Sequence, residues 1–196
     1  MIPIAKSVPP AYWLSRYKRW GKTYKAKRDN PTKSNTFAWA QYNYQKTNLL
    51  ALPLLSGETL SHCSFCDGFP LDTTGETIEH FRAKSVYPLL SYVWGNLFYC
   101  CHHCNEHKGE SPERNLLRPD APGYTFEEYF YVDYTTGRIE IMPTLIGKKR
   151  TKAFNTRELY GLNEYNRPQR RLMYLRQFRN ANLPDRDEYP YRFMYI

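Results

Sequence analysis

The chain has 196 residues, 41% hydrophobic and 24% charged, which is enough length and apolar content for one ordinary globular unit and excludes a disordered chain. Lys and Arg outnumber Asp and Glu by 28 to 19, and the formal charge of +9 favours a polyanionic partner, nucleic acid before membrane. No apolar run approaches a membrane span, and "MIPIAKSVPP" lacks the long apolar segment of a secretory signal, so a soluble, cytoplasmic protein without a membrane partner is expected.

Residues 1–55 read as a basic, mostly helical segment. In "AYWLSRYKRW" the spacings of four and three between Trp13, Tyr17 and Trp20 predict a short helix. Arg16, Lys18, Arg19, Lys22, Lys25, Lys27 and Arg28 make this stretch a basic arm, and Asp29 is the one acid between residues 11 and 50. "RDNPTKSN", residues 28–35, is rich in turn formers and predicts a loop. "TFAWAQYNYQKTNLLALPLL" predicts a helix from Thr36 that ends before Pro53, with its aromatic residues in the core and its lysines outside.

Residues 56–120 hold all five cysteines and all five histidines, between His62 and His107. In the third segment, 121–196, residues 126–142 contain two β-prone runs around Gly137 and predict a hairpin. A helix is expected over 151–160, closed by Gly161, and a second in "RPQRRLMYLRQFRN" with Pro168 in its first turn. Residues 147–182 carry ten Lys or Arg against Glu158 and Glu164. Two basic flanks around a less charged centre suggest two arms gripping a phosphate backbone, with eighteen tyrosines and four tryptophans available for base stacking. The bland alternative is a pair of solvated helix faces that keep the chain soluble. The three segments are expected to form one compact unit.

Cys63-Ser-Phe-Cys66 and Cys101-His-His-Cys104 are two C-x-x-C pairs with 34 residues between them. Each pair turns the backbone so that both sulfurs face one point, and two pairs complete a tetrahedral Zn²⁺ site. One such pair suits redox chemistry; two, clustered with histidines, point to a metal in a reducing compartment. Four protein ligands leave no open position, so this zinc is structural and its binding contributes to folding. Cys100 is left over and reads as a small buried hydrophobe. His62, His102 or His103 in place of a thiolate remains an alternative.

Between the pairs lie Glu79-His80 and Asn96-Leu97, and Asn105 follows the last cysteine with Lys108 three positions on. The order C-x-x-C, E-H-F-x-x-K, W-x-N-L, C-x-x-C-N-x-x-K resembles the HNH nuclease motif. More closely, it is similar to the HNH nuclease subunits of Septu-type anti-phage systems, relatives of which occur beside retrons. The specific motif covers Cys63 to Lys108, and "AFNTRELYGLNEYNRPQRR" carries a weaker likeness. The resemblance implies an α+β fold with a ββα-metal core (HNH, His-Me finger) around one divalent cation, usually Mg²⁺. It puts His80 at the general base, Glu79 and Asn105 on the catalytic cation, and Asn96 as the brace of the loop carrying the histidine. Lys108 and Lys84 fall where phosphate contact is expected. It also implies DNA cleavage leaving a 5′-phosphate, under control of an ABC-type ATPase partner.

The chemistry suits those residue types. A neutral histidine titrates near working pH and takes a proton from water. Glu and Asn oxygens suit a hard cation that neutralises the leaving oxygen. A regular strand would send Glu79 and His80 to opposite faces, so a strand end is expected there. Each residue alone has a plainer account: a satisfied surface pair, a helix cap, a turn. His102, His103 and His107 compete with Asn105 as cation ligands. The rival functions are a zinc-ribbon module that binds nucleic acid without cutting it, and an HNH enzyme acting on RNA or tRNA.

Overall fold

The computed structural model describes residues 1–30, 32, 36–71 and 75–195, and the fold is a mixture of helices and small antiparallel sheets. Positions 31 and 33–35 of the loop expected at 28–35 lie outside the described residues. Among the described residues no helix is long and apolar enough to cross a membrane.

The basic arm forms α1 (Ala11–Leu14) and α2 (Tyr17–Arg28). Trp13 and Trp20 turn inward, edge to face at 5.4 Å, and Trp13 meets Trp94 at 5.1 Å. These rings bury large apolar areas, and the indole N–H of Trp13 is satisfied by the Tyr92 carbonyl at 2.8 Å.

The helix expected from Thr36 is not there. Residues 36–40 carry no regular structure, and a hairpin of β1 (Gln41–Tyr42) and β2 (Gln45–Lys46) follows. Asn43 and Tyr44 sit in succession at φ 49° and 63°, which no α-helix accommodates. Tyr92 holds the preceding stretch: its hydroxyl accepts from the Ala40 amide at 2.8 Å and donates to the Ala38 carbonyl at 3.2 Å. The helix α3 runs from Thr47 to Gly57 and passes through Pro53 rather than stopping before it. Proline removes one hydrogen bond there, to the carbonyl of Leu49, a residue on the exposed side of the helix.

The centre of the fold is β3 (Glu76–His80) paired antiparallel with β4 (Leu97–Cys101), followed at once by α4 (His102–Lys108). His80 pairs with Leu97 and Glu76 with Cys101 in register. Every residue of β4 is buried, as its unbroken apolar run requires, while β3 is exposed at its start and buried at Glu79 and His80.

The hairpin around Gly137 is present as β5 (Phe130–Asp133) and β6 (Arg138–Ile141). It begins later than the β-prone run, because Phe126–Tyr129 forms a helical turn, α5, capped by the Thr125 hydroxyl. Two helices complete the chain, α6 (Gly147–Leu159) and α7 (Arg167–Asn180), with Gly161 at φ 54° after the first and Pro168 in the first turn of the second. The last described residues return to the first cysteine pair. Asp67 accepts from the Arg192 amide at 2.6 Å and from its guanidinium Nη2 at 2.7 Å, both side chains being buried, and its carbonyl accepts from the Tyr191 amide at 2.7 Å.

Candidate active site and metal centre

The sulfurs of Cys63, Cys66, Cys101 and Cys104 are buried and all lie within 4.8 Å of one another. A tetrahedron with bonds of about 2.3 Å has edges of about 3.8 Å, and the Cys66 and Cys101 sulfurs are 3.8 Å apart. A metal such as zinc therefore fits this donor set. In the first knuckle the Asp67 amide bonds the Cys63 carbonyl at 2.9 Å and the Cys63 amide bonds the Gly68 carbonyl at 3.0 Å. The second knuckle opens α4, where the Cys101 sulfur accepts from the Cys104 amide at 3.4 Å. Cys100 is buried in β4, its sulfur 3.9 Å from that of Cys63.

Burial pushes the Cys104 thiol up, so a fourfold thiolate needs positive charge around it as well as at its centre. Arg167 supplies it: Nη2 is 3.3 Å from the Cys104 sulfur, and Nη1 donates to the Tyr160 carbonyl at 2.8 Å. Burial alone would lower its pKa, but the sulfurs of Cys104, Cys66 and Cys101 hold it well above the usual value. Nothing in the local sequence around Arg167 announces this role, since the contact spans 63 positions.

None of the histidines joins the four sulfurs. His62 is buried between the carbonyls of Leu60 and Tyr189 and stacks on Phe69. His102 is exposed beside Glu106, His103 stacks on Tyr165 at 4.6 Å, and His107 lies against the Leu159 carbonyl at 3.4 Å. Among the described residues the four cysteines are the one group of three or more His, Cys, Asp or Glu side chains brought close enough to share a metal ion.

Glu79, His80, Lys84 and Asn105 line a single cavity of about 250 Å³, with Phe37, Trp39 and Glu110 around them. His80 Nε2 is 2.9 Å from the Ser91 carbonyl, which only accepts, so Nε2 carries the proton and Nδ1 keeps its lone pair. The ring is stacked on Trp39 at 5.3 Å and met edge-on by Phe37. Burial, reinforced by the nearby Lys84 charge, lowers its pKa to about 3, so the imidazole is neutral. Asn96 clamps the loop after it: Oδ1 accepts from the Arg82 amide at 2.7 Å, and Nδ2 donates to the carbonyls of Arg82 and Leu90 at 3.0 and 3.1 Å.

Asn105 donates through Nδ2 to the Thr77 hydroxyl at 3.0 Å and the Ile78 carbonyl at 3.3 Å, which leaves Oδ1 as an acceptor. Glu79 is 2% exposed, and burial raises its carboxyl to about 7 despite the ammonium of Lys108 beside it. That contact is an ion pair with Oε1 and lacks hydrogen-bond alignment. Glu79 and Asn105 thus line the same cavity, with Glu79 Oε1 facing the Lys108 ammonium and Asn105 Oδ1 left as an acceptor.

The two lysines do not stand alike. Lys108 is buried, pairs with Glu79 and donates to the His80 carbonyl at 3.0 Å, so its charge is directed inward rather than to the surface expected of a phosphate contact. Lys84 lies on the cavity wall and pairs with Glu110, with its ammonium 5.6 Å from the Phe37 ring. Burial would raise the Glu110 carboxyl, but bonds from Lys84 and Ser85 hold it at about 2. Of the basic arm, Lys18, Arg19, Lys22 and Lys25 are exposed, the last paired with Asp29. Arg16 stacks over Tyr42, Lys27 reaches the Thr36 carbonyl at 3.3 Å, and Arg28 donates to the Ser85 carbonyl. The end of α2 thus meets the loop that follows His80.

No protein-family model matches the chain. A curated relative does: Septu protein PtuB of Bacillus mycoides (strain KBAB4). The chain is similar to PtuB. The identity is 29% over 114 residues, which cover 50% of this chain and 37% of PtuB, so the chain spans well under half of the relative's length.

Proposed function

We propose that the protein is an HNH-type endonuclease that hydrolyses DNA phosphodiester bonds and serves as the nuclease of an anti-phage system. The observation that carries the reading is His80, a buried neutral imidazole with its proton fixed on Nε2 and its free Nδ1 at a cavity that also holds Glu79 and Asn105. Similarity to a Septu protein supports the defence role, and the likeness to Septu nuclease subunits extends to control by an ABC-type ATPase partner.

His80 Nδ1 takes the proton of the attacking water, and the Ser91 carbonyl and Trp39 keep the ring from turning. Asn96 fixes the backbone that carries the ring, so the base is positioned before substrate arrives. Glu79 and Asn105 would hold a divalent cation, which neutralises charge on the leaving oxygen when bound. The exposed lysines and Arg19 of α2 draw the phosphate backbone toward the loop after His80.

Lys108 against Glu79 favours a second reading, a zinc module that binds nucleic acid without cutting it. One experiment separates them. Plasmid DNA and a folded RNA are incubated in parallel with Mg²⁺ and either wild type or His80→Ala, with and without an ABC-type ATPase partner of the kind the resemblance implies. Cleavage of DNA by wild type alone is expected. Equal cleavage by the variant, or none by either protein under any condition, would overturn the catalytic assignment, and cleavage of RNA alone would overturn the DNA assignment.

A further inference from the structure

A second cavity, of about 390 Å³, lies outside the His80 site and is lined by Arg82, Arg114, Arg118, Lys152 and the rings of Tyr124 and Tyr129. Its one carboxylate, Glu128, is already held by Lys149 at 2.6 Å. Arg118 is matched by Asp120 at 2.8 Å. The other three cations have no ion-pair partner among the described residues. Arg82 is half-buried and donates to the Glu113 carbonyl at 3.3 Å, Arg114 donates to the Tyr87 hydroxyl, and Lys152 is exposed.

Gathering like charges in one concave place is unfavourable unless an anion joins them. The guanidiniums of Arg82 and Arg118 each lie against the Phe81 ring, at 5.1 and 4.9 Å from its centre. Burial and the charges of Arg118 and Arg114 lower the Arg82 pKa accordingly. The donor types are those that bind phosphate: planar guanidinium forks with one flexible ammonium, on a wall that also offers tyrosine rings.

The cavity is tied to the His80 site through two loops. Arg82 is two positions after His80, and its peptide is clamped by Asn96 on both sides. Gly109 and Glu110 line the first cavity, while Arg114 and Arg118 of the same segment line the second. We propose that this cavity is a phosphate-binding subsite that seats a backbone phosphodiester of the DNA, away from the bond presented to His80. The assignment of the phosphate to DNA rests on the nuclease reading above; the anion site itself stands on the unpaired cations.

The test is a binding titration. A fluorescein-labelled DNA duplex is followed by anisotropy over a salt series, in buffer without added divalent cation. The full chain is compared with Arg114→Gln/Lys152→Gln and with Lys46→Gln/Arg186→Gln, which removes the same charge from exposed positions off the cavity. For every phosphate that the protein no longer neutralises, the slope of log K against log salt flattens by about 0.9, so a decrease of about 1 to 2 is expected for the cavity pair alone. An unchanged slope, or the same decrease in both double variants, overturns the DNA assignment. A parallel calorimetric titration with inorganic pyrophosphate distinguishes the source: saturable binding that disappears in the cavity pair, with the DNA slope unchanged, would assign the cavity to free phosphates. No effect in either arm overturns the anion site. Cleavage plays no part in these readouts. A protein that binds DNA through the cavity yet never cuts it sinks the nuclease reading and keeps the subsite; one that cuts DNA with an unaltered slope and no pyrophosphate binding sinks the subsite alone.

Discussion

Replacing Lys108 with Met removes the ammonium from Glu79 and leaves an apolar chain of similar length in its place. In the wild type the buried Glu79 carboxyl is raised from an ordinary 4.5 to about 7. A carboxyl raised by folding contributes stability that is fully present below pH 4.5 and is lost as pH climbs through 7, by about 1.4 kcal/mol for each unit of difference, or about 3 kcal/mol in all. Without Lys108 the carboxyl is pushed higher still, because burial remains and the attraction of the ammonium is gone. The variant therefore goes on losing stability above pH 7 after the wild type has stopped. Between pH 4.5 and 7 the two proteins lose stability together, and the gap between them, which includes the lost bond to the His80 carbonyl, stays constant. Above 7 it widens by about 1.4 kcal/mol per pH unit until the variant's own carboxyl ionises, reaching about 3 kcal/mol at pH 9. Urea unfolding followed by tryptophan fluorescence at pH 6, 7, 8 and 9 measures that gap; the range lies well above the His80 pKa of about 3, which Lys108 itself helps to lower, so folded His80 stays neutral there. A gap that stays flat from pH 6 to 9 would refute the argument that Lys108 is there to hold the Glu79 charge.

Cys63→Ser and Cys104→Ser should each lose the bound metal and the cooperative thermal transition, whereas Cys100→Ser should keep the metal; elemental analysis and a melt decide it, and a chain without zinc in the wild type would defeat the metal-centre reading. Arg192→Met strands the buried Asp67 carboxylate and should cost about 3 to 5 kcal/mol in urea unfolding, with Asp67→Asn/Arg192→Met recovering part of it. A loss under about 1 kcal/mol would mean the pair contributes nothing net. Gly137→Ala should destabilise far more than Gly123→Ala, although both glycines have nearly the same positive φ. A methyl at 137 comes within 2.8 Å of the Pro168 carbonyl carbon, while at 123 nothing lies within 4 Å. Thermal melts that shift equally would show that φ strain, not the packing of α7 on the hairpin, sets the cost.

The four-cysteine cluster was legible because knuckle spacing is a local property: two residues between cysteines determine where the sulfurs point. The Gly137 hairpin and the helices around Gly161 and Pro168 were legible for a related reason, since those residue types mark turns and helix ends by their own backbone chemistry. The stretch from Thr36 to Lys46 was misread as helix because its conformation is set from elsewhere, whereas Thr47 onward is helical as expected. Tyr92 binds the backbone of Ala38 and Ala40, and nothing within the stretch reveals a hydroxyl more than fifty positions away. In the His80 cavity the residue types were readable, but their company was not. That Lys108 turns inward to Glu79, and that Arg167 reaches the sulfurs from α7, are facts of packing across 29 and 63 positions.

The tie between Asp67 and Arg192 joins residues 125 positions apart, which sets an order for assembly. Closing a flexible loop of that length from an open chain is costly, and the cost grows with the logarithm of the length. A metal at the four sulfurs would shorten the path by joining the two knuckles, and the contact of Arg167 with Cys104 bridges a further 63 positions. What remains is the short stretch from Arg167 to Arg192. A metal held there would thus act on the topology of folding as well as on its energy: it would convert one long closure into a series of short ones, with the strap over the first knuckle closing the shortest path.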